Sequence, residues 1–151
     1  MSVKPVPEGY HAFTPYLVVD NADGVLEFLK SAFGAQEQFL MRLPDGTLAH
    51  AEYQVGDSKV MIGQANEKWP AMPGCIYHYV PDCDAVFQKA IEAGGEVVME
   101  PQDQFYGDRH GGVKDPGGNV WWISTHIEDV SHEELKRRLD SWSDKAAAEN
   151  S

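Results

Sequence analysis

Two short stretches of the chain gather side chains able to move protons. In His50-Ala-Glu52 an imidazole and a carboxylate stand two residues apart. In a strand they share one face, where they could act as a base with its orienting partner; a hydrogen-bonded structural histidine would look the same. Phe105-Tyr-Gly-Asp-Arg-His110 combines aromatics with a carboxylate, a guanidinium and an imidazole, and its bland reading is an Asp108–Arg109 pair bracing a glycine turn. Cys75 and Cys83 lack C-x-x-C spacing, so neither a disulfide framework nor a zinc knuckle is suggested, and both read as reduced thiols of a cytoplasmic protein. No nucleophile elbow, phosphate-binding glycine loop or metalloprotease helix occurs, and Asp115-Pro-Gly-Gly118 lacks the spacing of a dinucleotide fingerprint.

The elements that must position these groups repeat. Sliding the chain over itself by 61 positions gives nine identities across the 49 pairs from Thr14 to Ile62, among them Tyr16 on Tyr77, Gly34 on Gly95 and Ile62 on Ile123. Ordinary residue usage would give about three. In the first copy, Phe13 to Val19 is β-rich, with Pro15 near an edge or a strand start. Asp20-Asn-Ala-Asp23 then caps a helix with Val25, Leu26, Phe28, Leu29 and Phe33 on one face, ended by Gly34. Strands are expected over Gln36 to Leu43, Thr47 to Val55 and Lys59 to Gly63. In the second copy, Cys75 to Val80 is a strand, Asp82-Cys-Asp84 opens a helix, and Val97 to Met99, Gly111 to Lys114 and Asn119 to Ser124 complete the set. The fold class is therefore α+β, built from two βαβββ modules: residues 10–65 and 75–126, linked by 66–74, with 127–151 as a C-terminal helix and tail in one compact domain. Ser131-His-Glu-Glu134 is a capping box for that helix, which carries Leu135, Leu139 and Trp142 as a packing or dimer-contact stripe, and Lys145 to Ser151 reads as a frayed tail.

A chain of 151 residues, 42% hydrophobic, can bury a core of its own. The net charge of −12 repels nucleic acid and anionic membrane and concentrates cationic small molecules. No window approaches the roughly 18 apolar residues of a membrane span, and the N-terminal stretch has no apolar segment that would mark it for export.

Paired modules with this punctuation resemble the vicinal oxygen chelate superfamily, which includes glyoxalase I, the fosfomycin and bleomycin resistance proteins and the extradiol dioxygenases. Thr14-Pro-Tyr-Leu-Val-Val19, His50-Ala-Glu52 with Gly56-Asp-Ser58, Tyr106-Gly-Asp-Arg109 with Asp115-Pro116, Trp121-Trp122 and Thr125 to Ser131 are similar to its PhnB-like branch. The resemblance implies two sheets forming an incomplete eight-stranded barrel around a cavity, with metal ligands in the metal-dependent members drawn from the first and last strand of each module. Those positions would be Thr14, Met61, Cys75 and Trp122, and each pair obeys the repeat offset. A hydroxyl, a thioether, one thiol and an indole do not make a site for a borderline divalent cation, so no metal and no cofactor is expected.

The same resemblance puts Thr14, Tyr16, Val18, Cys75, Tyr77, Tyr79, Met61 and Trp122 on the cavity side, with Trp121 and His78 outside it. The loop carrying Tyr106, Asp108 and Arg109 would border the mouth, and His11, His126 and His132 would lie at the surface. The expected function is metal-independent binding of a small organic molecule, cationic or aromatic, by a cytoplasmic homodimer. Two alternatives stand beside it: a metal-dependent lyase, isomerase or dioxygenase with a site relocated to His50, Glu52 and His110, and a structural or regulatory dimer with a filled cavity.

Overall fold

The computed structural model describes residues 2–149. Its elements run β1 (Tyr16–Val19), α1 (Ala22–Phe33), β2 (Gln36–Arg42), β3 (Leu48–Val55), β4 (Ser58–Gln64), β5 (Cys75–Tyr79), α2 (Cys83–Glu92), β6 (Glu96–Asp103), β7 (Asp108–Lys114), β8 (Val120–His126) and α3 (His132–Glu149). This is βαβββ used twice, followed by a helix. The strands form two separate four-stranded sheets, ordered β1-β4-β3-β2 and β5-β8-β7-β6, which do not close into a barrel. In each, the first strand runs parallel to the fourth and the others are antiparallel.

Local chemistry sets the helix ends. The Asn21 side chain accepts the Gly24 N–H, and Gly34 ends α1 in the left-handed region at φ 65°, which glycine adopts without Cβ strain. Asp82 caps α2 in the same way by accepting the Ala85 N–H. The buried stripe Val25, Leu26, Phe28 and Leu29 faces inward as its helical spacing requires. It joins Leu17, Val19, Ala51, Tyr53, Val60 and Ile62 from the first sheet and Val113, Trp121 and Ile123 from the second in one core, with Phe87 and Ala90 of α2. Helices α1 and α2 pack on each other and on one face of each sheet. The opposite faces stay uncovered: Tyr16 is 50% exposed and Tyr79 59%.

Several expected boundaries shift. Strand β1 begins at Tyr16 rather than Phe13, and β6 continues past Met99 to Asp103. Strand β7 starts at Asp108 rather than Gly111, so Asp108, Arg109 and His110 belong to a strand and not to a loop. The 61-residue offset holds between β1 and β5 and between β4 and β8, since Tyr16 pairs with Met61 as Tyr77 pairs with Trp122. Between β3 and β7 it slips: Glu52 stands opposite Met61, but Gly112 stands opposite Trp122, so the second hairpin is one residue longer. His110 thus matches His50, and Gly112 matches Glu52.

The segment expected to fray is helical through Glu149, while Asn150 and Ser151 lie outside the described residues. Ser131 Oγ accepts the Glu134 N–H at 3.2 Å, and Arg138, paired with Glu134 within the helix, ties α3 to Glu128 and the Phe105 carbonyl. Trp142 lies against Phe105, with ring centroids 5.8 Å apart. Among the described residues no helix is long and apolar enough to cross a membrane.

Candidate functional site

Strand alternation separates two sets of side chains. In β8, Trp121 points to the helices, packing on Phe33 with 5.1 Å between ring centroids and donating its Nε1–H to Asp115 at 2.8 Å. Trp122 lies on the uncovered face beside the His110 ring, 5.2 Å away, in space left by Gly112, where a Cβ would stand 2.5 Å from the indole. Cys75, Tyr77 and Tyr79 share that face, and Tyr16, His50, Glu52 and Met61 occupy the corresponding face of the first sheet. His78 takes the opposite parity and packs edge-on against Phe33 at 4.7 Å. Burial lowers its affinity for a proton, and its Nδ1 has no hydrogen-bond partner among the described residues.

On the first sheet, three polar groups form a line. His50 Nε2 lies 3.1 Å from Glu52 Oε2, and His50 Nδ1 lies 3.3 Å from the Tyr16 hydroxyl. A carboxylate partner calls for N–H at Nε2, which leaves Nδ1 to accept from the phenol.

On the second sheet, Asp108 is the hub. It is 5% exposed, and its Oδ2 accepts from Tyr77 at 2.7 Å and Tyr79 at 2.8 Å, while its Oδ1 faces His126 Nδ1 at 2.8 Å. Burial pushes the carboxyl up, but the hydrogen bonds from His126 and the two phenols outweigh it and leave Asp108 below the usual carboxylate range. His126 is held above its ordinary value by its bonds to Asp108 and, through Nε2 at 2.7 Å, to Asp129. Burial raises Tyr77 strongly, while for Tyr79 the Asp108 hydrogen bond is the main cause of a rise. Tyr106 shares a 2.8 Å hydrogen bond with His110 Nε2. Burial lowers the proton affinity of His110, whose Nδ1 is buried without a partner among the described residues.

One expectation is corrected here. Arg109 does not pair with Asp108, because consecutive strand residues face opposite sides: its Nε donates to Asp84 of α2 and its Nη1 to Asp103. It reaches neither cavity described below. His126 lies at the surface as expected, and from there it bridges the hub to the segment leading into α3. The sequence signal for His110 is its i, i+2 spacing from Asp108, which puts the two on one face only because β7 begins at Asp108 rather than Gly111.

Two cavities lie among these groups. The larger, about 590 Å3, opens between the modules and takes in Thr14, Tyr77 and Tyr79 together with Phe13 and the turn at residues 55–60; it reaches round both faces of β5, so His78 and Trp121, expected outside the cavity, line it as well. The smaller, about 400 Å3, lies on the first sheet against Tyr16, Val18, Gly63, Gln64, Asn66 and Trp69. Of the remaining sequence candidates, His50, Glu52, Met61, Cys75, Tyr106 and Trp122 line neither cavity but stand on the uncovered faces beside them. Trp69, in the linker, carried no signal in the sequence.

The positions where metal-dependent relatives hold an ion do not fit one here. Met61 and Trp122 offer a thioether and an indole, Thr14 sits ahead of β1, and Cys75 is a single exposed thiol. His50 with Glu52 and His110 stand on separate sheets, and among the described residues no three His, Cys, Asp or Glu side chains converge as a ligand set.

Comparison with known proteins agrees with this architecture. An uncharacterized protein of Mycobacterium bovis is 35% identical over 147 residues, covering 88% of this chain and 95% of that protein, and one from Mycobacterium tuberculosis is equally similar, with 85% of its length covered. Among solved structures, TioX from Micromonospora sp. ML1 superposes with a TM-score of 0.65 at 26% identity, covering 78% of this chain and 99% of that one. A PhnB protein from Bacillus cereus gives 0.61 at 19% identity, covering 76% and 99%. Residues 10–123 match the sequence profile of the glyoxalase family, described as the Glyoxalase/Bleomycin resistance protein/Dioxygenase superfamily, and the chain belongs to that superfamily.

Proposed function

We propose that the protein is a metal-independent, homodimeric, cytoplasmic member of its superfamily that binds a small organic molecule, cationic or aromatic, in the cavity between its modules. The observation that carries this reading is the cavity itself: about 590 Å3, within the usual range for small-molecule sites, with the aromatic groups of Phe13, Tyr77, Tyr79, His78 and Trp121 drawn from both modules. Aromatic faces attract cations, and a net charge of −12 raises their local concentration. A space of this size also argues against a filled interior. Metal independence is supported by the donor chemistry of Thr14, Met61, Cys75 and Trp122. A second copy of the chain would cover the apolar groups left open, among them Tyr16, Phe39, Met41, Trp69 and Met72.

Native mass spectrometry of the purified protein tests the proposal, combined with titration of an aryl-ammonium probe such as benzyltrimethylammonium followed by tryptophan fluorescence. The expected result is a dimer without stoichiometric metal that binds the probe saturably, with Trp121→Phe reducing the signal. Stoichiometric zinc, nickel, iron or manganese, or a monomer that ignores the probe, would overturn it.

A further inference from the structure

His78 is a polar side chain on the wall of the inter-module cavity whose hydrogen-bonding capacity is unspent. Strand alternation puts Tyr77 and Tyr79 on the uncovered face of β5 and His78 on the other. Strand β5 is at the edge of its sheet, so the cavity passes beside it and reaches both faces. On the His78 side the wall is aromatic: the imidazole stands edge-on to Phe33, with 4.7 Å between centroids, and Phe33 lies 5.1 Å from the ring of Trp121. The Nδ1 of His78 is sealed from solvent, and the side chain makes no hydrogen bond among the described residues. A donor sealed without an acceptor is the costlier state, so the ring proton sits on Nε2 and the bare lone pair on Nδ1. Burial lowers the proton affinity of the ring, which is a neutral imidazole near neutral pH. The other donors nearby are committed. Trp121 gives its Nε1–H to Asp115 at 2.8 Å, and Tyr77 and Tyr79 give their hydroxyl protons to Asp108. At the turn between β3 and β4, Ser58 donates to Asp57 and Lys59 to Gln38.

We propose that His78 is the specificity-determining residue of this cavity: its Nε2–H selects, among cationic aromatic molecules, those that carry an acceptor oxygen such as a carbonyl at the end away from the charge. The inference rests on the reading of the cavity as a small-molecule site and states which molecules fill it. The two ends of the ligand meet the two faces of one strand. The cation lies against the rings of Tyr77 and Tyr79, whose hydroxyls converge on the Asp108 carboxylate, so negative charge stands behind them. The acceptor oxygen reaches the imidazole, where an apolar group of the same shape would leave the N–H unmet and be rejected. A neutral ring suits this arrangement, since an imidazolium would repel the cation.

The test is titration of the full chain, followed by tryptophan fluorescence, with benzyltrimethylammonium and its para-acetyl and para-isopropyl derivatives; the last two match in charge and shape and differ in the oxygen. The wild type is expected to bind the acetyl probe about tenfold more tightly than the isopropyl probe, the upper end of what one neutral hydrogen bond contributes. His78→Phe should abolish that preference while benzyltrimethylammonium still binds. Thr14→Val, which removes the hydroxyl of another cavity residue, should keep it. A measurement on the wild type needs no variant to fold: NMR of the labelled imidazole should find the proton on Nε2, and that resonance should move with the acetyl probe and stay with the isopropyl one. Equal affinity for the two derivatives, a proton on Nδ1, or a preference that survives in folded His78→Phe overturns the inference, and with benzyltrimethylammonium still bound each of these leaves the proposed role of the cavity standing. Failure of all three probes to bind removes both.

Discussion

Replacing Asp115 by Ala should cost the fold more than any other single substitution at a turn. The carboxylate is 4% exposed and accepts four N–H bonds: Gly117 N at 2.8 Å and Asn119 N at 3.0 Å on Oδ1, and Asn119 Nδ2 and Trp121 Nε1, each at 2.8 Å, on Oδ2. Gly117 is partly open and can turn to water. The other three donors belong to Asn119 and Trp121, which are buried and have nothing to replace the lost acceptor. A buried donor left unmade costs about 1–3 kcal/mol, so three give about 3 kcal/mol at the low end. Water entering the vacated space trims the upper end, and the expectation is about 3–5 kcal/mol, a large share of the 5–15 kcal/mol typical of a domain. In a chain of this length that is a fall in Tm on the order of 10 °C. Equilibrium urea unfolding, followed by tryptophan fluorescence and by circular dichroism, measures it directly. The Asp115→Asn variant keeps one acceptor and should fall between the two. A loss below about 1 kcal/mol with an unchanged m-value would refute the reasoning, because it would mean that the four bonds do not organise the turn.

Two further outcomes follow from the uncovered sheet faces. Gly112→Ala should displace the Trp122 ring, since the new Cβ would meet three of its atoms at 2.5 to 3.0 Å, at about 1–3 kcal/mol of overpacking and with a shift in tryptophan emission that Gly46→Ala lacks. His126 has a raised proton affinity in the fold, so its contribution is fully present below the ordinary histidine value near 6.5 and is lost as pH rises through its higher folded value. The difference in Tm between the wild type and His126→Gln should therefore be larger at pH 5.5 than at pH 9, and a difference that grows with pH would refute the assignment.

Periodicity made the architecture legible. The stripe of Val25, Leu26, Phe28 and Leu29, closed by Gly34, could only be a helix lying on a sheet, and the 61-residue offset puts Tyr16 with Met61 and Tyr77 with Trp122 in the same relative places, as the strand pairing shows. Parity within strands was legible for the same reason, and His50 and Glu52 meet because residues two apart in a strand share a face. Contacts across the sheets were not legible. Asp108 finds Tyr77, Tyr79 and His126 through pairing of distant strands, and His50 finds Tyr16 over 34 residues. Arg109 was misread because proximity in sequence suggested a partner that the pleat turned away. The repeat also hid its own flaw, since identities in the flanking strands say nothing of an added residue in the turn between β7 and β8.

That added residue has a lasting consequence. The two halves descend from one pattern and each still sets a tyrosine beside a histidine, with 5.5 Å between the rings of Tyr16 and His50 and of Tyr77 and His110. Yet one half kept a carboxylate opposite a slender thioether, while the other gave that place to glycine so that an indole could lie flat. Exchanging the third and fourth strands of one half for those of the other as a block would carry each half's partners along, but exchanging a single strand would slide its neighbour by one position and turn inner side chains outward. The halves have become handed tools: alike in outline, fitted to different work, and no longer spare parts for each other.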